Sequence, residues 1–146
     1  MRHVRNPFPP SLESESMSKD RLLLAGRVLI AVLFVPGGFA KLSHFQNTVA
    51  SIAHSALPLP SLMAAGAIAV EFGVGLAFLV GWKARWAALI LALFTLVAGV
   101  FFHNFWAAPD AQVAMQKINF LKNLAIAGGL FFVYVFGPGR LSIDRG

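Results

Sequence analysis

Three polar residues stand where two oily stretches end and begin: His103 closes one, and Lys122 with Asn123 opens the next. Lys41 and His44 follow an earlier stretch, and Phe105 and Trp106 lie beside His103. An ammonium, an imidazole and an amide offer hydrogen-bond donors to an anionic or carbonyl-bearing ligand, while aromatic and aliphatic neighbours offer walls for an apolar body. A quinone has that dual character. The candidate ligand set is therefore Lys41, His103, Trp106, Lys122 and Asn123. The bland alternative uses the same residues as Trp and Lys anchors at a membrane interface.

Two further charges lie inside oily runs, Arg27 and Glu71. An ionisable group at the centre of a bilayer costs roughly 2.5–3.5 kcal/mol on insertion scales, so each needs a partner or a wet cavity. Counted at 1.5 Å per residue, Arg27 is about 8 Å and Glu71 about 15 Å from the same membrane face. That difference is within side-chain reach, and a buried Arg27–Glu71 pair is the expectation. Structural pairing, a pocket lined by Glu71 and a lone protonated Glu71 all remain open.

These residues need a scaffold, and the composition limits what it can be. The chain has 146 residues, 58% hydrophobic and only 12% charged, with a mean hydropathy of +0.72. A soluble domain carries about twice that charged fraction. Four runs approach the ~20 residues that cross a hydrocarbon core: residues 22–40, 61–81, 86–102 and 118–136. None alternates with the period of two that a membrane barrel needs. The predicted fold is an all-α integral membrane four-helix bundle spanning residues 21–144, preceded by a disordered polar tail over 1–20. Met17 offers a second possible start.

Eight Lys and Arg flank one side of the spans (Arg2, Arg5, Lys19, Arg21, Lys83, Arg85, Arg140 and Arg145), against Lys41, Lys117 and Lys122 on the other. The positive-inside rule then places both termini in the cytoplasm. The net charge of +6 is accounted for by those flanks, so nucleic acid is not an expected partner. With no Cys, thiol chemistry and thiolate metal sites are excluded for this chain, and the spacing of His44, His54 and His103 fits no metal motif. Small residues recur at Ala65, Ala69, Gly73 and Ala77, a row that lets helices approach closely. Pro36 with Gly37 and Gly38 is expected to loosen or kink the first span.

The ordered pieces "RVLIAVLFVPGGFAKL", "VEFGVGLAFLVGWKARWAALIL", "FFHNFW", "QKINFLKNLAIAGGLF" and "GPGRLSIDR" make the chain resemble the DoxX family of small bacterial membrane proteins. Pro36 departs from the pattern. The resemblance implies a four-helix bundle of the inner membrane whose polar positions are Arg27, Lys41, Glu71, Arg85, His103, Lys122 and Asn123. It implies a membrane subunit or accessory of an oxidoreductase or detoxification system rather than a stand-alone enzyme, with a bound quinone as the cofactor and other redox subunits or a second copy as partners. A non-enzymatic scaffold and a small transporter are the competing readings.

Overall fold

The computed structural model describes residues 10–55 and 57–144. Six α-helices follow one another: α1 (Pro10–Ser43), α2 (Phe45–Ala53), α3 (Pro60–Ile68), α4 (Gly75–Val80), α5 (Ala84–Phe102) and α6 (Asp110–Phe136). A π-helical turn, Ala69–Val74, joins α3 to α4, so the three make one continuous rod. A 3-10 turn, Phe105–Ala107, follows α5. Four segments are long and apolar enough to cross a membrane: Met17–Ser43, Pro60–Val80, Ala84–Ala107 and Asp110–Phe136. The expected bundle is present, and no strand occurs among the described residues.

Several boundaries differ from the sequence expectation. The tail expected to be disordered is helical from Pro10 onward, with Glu15 and Lys19 paired at 2.9 Å one turn apart; its residues 1–9 lie outside the described residues. Helix α1 runs on past the expected end at Ala40 to Ser43, with Pro36 inside it. A transmembrane helix tolerates the lost N–H because neighbouring groups satisfy the freed backbone. The polar stretch before the last span is no open loop: α6 already starts at Asp110, whose carboxylate suits the positive end of the helix dipole.

Packing is concentrated at the end of the bundle that carries both termini. Ala31 and Phe34, Phe78, then Ala87, Ala88, Leu91 and Ala92, and finally Ala127, Leu130 and Val133 form one buried cluster. Alanines dominate it because lipid tails compete equally for apolar groups, leaving close backbone approach as the main gain. Towards the other end the helices line a cavity.

The C-terminal segment, residues 137–144, folds back over the terminal end. Arg140 N donates to Asp20 Oδ1 at 2.9 Å, Ile143 N to Val80 O at 3.2 Å and Asp144 N to Gly81 O at 3.1 Å. Asp144 Oδ2 accepts from Ala84 N at 3.1 Å, capping α5. Arg85 reaches across to the carbonyls of Tyr134 and Val135, at 3.2 and 2.7 Å, and so satisfies the last turn of α6. Gly81 is needed at this closure: its φ is +77°, and a Cβ there would overlap Ser142 and Arg27.

Candidate functional site

Glu71 sits in the π turn, in the buried row of its rod with Ala64, Gly75 and Phe78. Such turns are rare and concentrate at functional positions. The backbone of this turn presses on α1 at Gly38, where a Cβ would fall 2.5 Å from Phe72 N and 2.9 Å from Glu71 C. Only glycine permits that approach. One residue earlier, Gly37 leaves room beside the carboxylate: a Cβ there would stand 3.3 Å from Glu71 Oε2 and 3.9 Å from Lys41 Nζ.

Lys41 fills that room. Its Nζ donates to Glu71 Oε2 at 2.6 Å. Helical side chains tilt toward the N-terminus of their helix, so a lysine in the last turn of α1 points back into the bundle, over Gly37. The ammonium keeps further donors free after this bond.

Arg27 and Glu71 do not pair. Arg27 is only 1% exposed, and its guanidinium donates to Leu141 O and, at 3.3 Å, to Leu79 O. Its acceptors are backbone carbonyls of the α4 end and the C-terminal segment. Similar depth in the bundle does not bring the two charges together, because the returning C-terminal segment claims Arg27 and Lys41 reaches inward to Glu71.

Above the packed end, the pair faces a cavity of about 800 Å³. Leu33 and Phe34 of α1, Met63 and Val70 of the second rod, and Phe94 and Phe102 of α5 give it apolar walls. Its polar residues are Lys41, Glu71, His103 and Asn123, joined by Asn47, Thr48 and Ser51 of α2 and by Thr95, whose hydroxyl donates to Leu91 O. Of the sequence candidates, then, Lys41, His103 and Asn123 share one cavity with Glu71. Lys122 and Trp106 do not line it. Lys122 is exposed, since its neighbour Asn123 turns inward and successive helical residues are about 100° apart. Trp106, 58% exposed, packs edge-on with Phe105 and Phe120 at 5.2 and 5.6 Å between ring centroids, which fits an interfacial anchor.

Two contacts of the site are absent from the sequence expectation. Gln116 Oε1 lies 3.0 Å from His103 Nδ1 and fixes the ring between α5 and α6. Asn123 Nδ2 lies against Gly99, 3.3 Å from where a Cβ would be. A signal exists for the first: Gln116, Asn119 and Asn123 recur at helical spacing along the start of α6. The cavity-lining polar residues of α2, Asn47, Thr48 and Ser51, also fall at helical spacing, but in a stretch too short to read as more than a connection.

Of the small-residue row Ala65, Ala69, Gly73 and Ala77, expected to let another helix approach, only Ala77 is half-buried and the rest lies on the outside of the bundle. Ala65, Ala69 and Gly73 are exposed, and a Cβ on Gly73 meets nothing within 4 Å. Among the described residues, no three His, Asp or Glu converge as a metal site.

The DoxX family model matches residues 22–104. The chain is 33% identical to the inner membrane protein YphA of Escherichia coli K12, over 85% of its own length and 89% of the relative's. It is 36% identical to the inner membrane protein YqjF of the same organism, over 87% and 92%. A longer protein, the ER-derived vesicles protein ERV29 of Saccharomyces cerevisiae, is 30% identical over 93% of this chain and 37% of its own length. No solved structure matches.

Proposed function

The chain belongs to the DoxX family of multi-pass inner-membrane proteins, and on that premise we propose that it is a membrane subunit or accessory of a redox system, holding a quinone-type ligand in its cavity. The observation that carries this reading is the convergence of Lys41, Glu71, His103 and Asn123 on one largely apolar chamber of about 800 Å³. That volume lies in the range of small-molecule sites. The residues fit the group: Lys41 Nζ, an imidazole nitrogen of His103 and Asn123 Nδ2 are donors suited to ring carbonyls, and Phe34, Phe94 and Phe102 suit an apolar ring face. When bound, a quinone would supply the two-electron chemistry, exchanging electrons with a partner's prosthetic group. The chain's own part is to orient the ligand and to hold a carboxylate and an ammonium beside it.

Thermal protection tests the assignment. A decyl-substituted ubiquinone at a hundredfold excess over its Kd should stabilise the purified protein by about 2.7 kcal/mol. His103→Ala and Asn123→Ala should lose that protection, while Lys122→Ala and Trp106→Ala, outside the cavity, should keep it. Equal protection in all four variants would remove the site.

A second reading is a non-enzymatic scaffold, supported by the exposed row of Ala65, Ala69 and Gly73, a surface on which a partner helix could pack closely. Gly73→Leu should then abolish co-purification of that partner while leaving insertion intact.

A further inference from the structure

The walls of the cavity are not closed. Gly66 of α3 and Val97 in the upper half of α5 both line it, yet Gly66 is exposed and Val97 is 54% exposed. Nothing stands within 4 Å of a Cβ at Gly66. Leu33 of α1 also lines the chamber and is 52% exposed. All three residues lie within membrane-spanning segments, Met17–Ser43, Pro60–Val80 and Ala84–Ala107, so the surface they open on is hydrocarbon. Below them the packed cluster of α4, α5 and α6 seals the bundle. The polar residues that line it lie on α2, at the end of α1, in the π turn and where α5 meets α6.

We propose that the cavity loads sideways from the bilayer through these flanks, and that its ligand is a membrane-partitioned amphiphile: a compact polar head with hydrogen-bonding oxygens at Lys41 and Asn123, and an apolar tail leaving through the Gly66–Val97 slot. The inference rests on the cavity being the ligand site of the preceding reading, but not on the ligand being a quinone. The physical ground is solvation. A water-soluble solute has no reason to cross an apolar slot, whereas a lipid-like one reaches the polar wall without exposing its tail to water. The slot also lets a tail longer than the chamber remain in lipid, so the cavity needs to desolvate only the head.

The absence of cysteine makes the test direct. A nitroxide is placed on Ala98→Cys, a cavity-lining position of α5, in the full-length protein reconstituted in vesicles. Collision with lipid-soluble oxygen and with a water-soluble nickel chelate is then compared. Side loading predicts oxygen dominating at this site, and a several-fold fall in oxygen collision when Gly66→Trp and Leu33→Trp narrow the flanks. Gly73→Trp, on an exposed position of the same rod away from the slot, should leave it unchanged and controls for folding. Dominance of the nickel chelate at the Ala98→Cys label, or oxygen collision indifferent to Gly66→Trp with Leu33→Trp, would overturn the proposal. Failure of the quinone alone shows differently: the decyl ubiquinone gives no thermal protection while the oxygen pattern holds. Where that quinone does bind, Gly66→Trp should slow its association several-fold and leave a tail-less benzoquinone unaffected; equal slowing of both would also count against a tail in the slot.

Discussion

Lys41 Nζ and Glu71 Oε2 are 2.6 Å apart, but the two side chains are unequally enclosed, with 37% of the lysine and 12% of the glutamate exposed. Removing one partner is therefore not equivalent to removing the other. A freed Lys41 stands in the last turn of α1 and can turn toward the headgroups. A freed Glu71 is held inside by the π turn and Gly37.

The first prediction is that asymmetry. Lys41→Ala should cost about 3 kcal/mol, as expected when a buried charge loses its partner, whereas Glu71→Gln should cost about 1 kcal/mol or less, as for a pair whose surviving charge reaches water. Reversible unfolding in mixed micelles measures both. Equal losses would mean that the lysine is as confined as the carboxylate.

Glycines separate contact from bystander. Gly38→Ala drives a methyl group into the Phe72 backbone, which cannot rotate away, and overpacking of this kind costs about 1–3 kcal/mol or more. Gly26→Ala meets nothing within 4 Å and should be neutral or stabilising by up to about 1 kcal/mol through helix propensity. Comparable unfolding curves for the two variants would contradict the close approach of α1 and the π turn.

Arg27→Lys keeps the charge and loses the fork that serves Leu79 O and Leu141 O together. The expected result is local: amide hydrogen exchange across residues 140–144 rises at least tenfold, equivalent to about 1.4 kcal/mol of lost protection, while α5 and α6 stay protected. Unchanged exchange in the C-terminal segment would show that its other bonds suffice.

Asp144→Ala removes the acceptor at the start of α5 and should cost about 1 kcal/mol, the usual value of a helix cap. Asp144→Asn should recover most of it, since an amide oxygen also accepts. If the asparagine variant is no better than alanine, the charge rather than the hydrogen bond matters at this terminus.

The four spans were legible in the sequence because hydrocarbon thickness alone dictates run length, and Leu22 through Ala40 or Trp86 through Phe102 admit no other solution in lipid. Lys41, His103 and Asn123 were legible too, since polar groups beside oily runs are few. The partner of Glu71 was not. Distance along a helix axis says how deep a charge lies but not which way its side chain leans, and the lean of Lys41 over Gly37 decides the pairing. Likewise "GPGRLSID" read as a polar ending, and nothing local in it announces that Leu141 O will face Arg27. The helical form of α2 was hidden because a short amphipathic segment between spans has the composition of a loop.

The clasp over Arg27 has a consequence for how the chain is made. Arg27 precedes its acceptor at Leu141 in the chain by all four spans, so the acceptor becomes available only once the last of them has been made. Until then the guanidinium can use the carbonyl of Leu79 alone. Sealing of this end is thus a late assembly event, one that a fusion joined directly after Asp144 would be expected to delay.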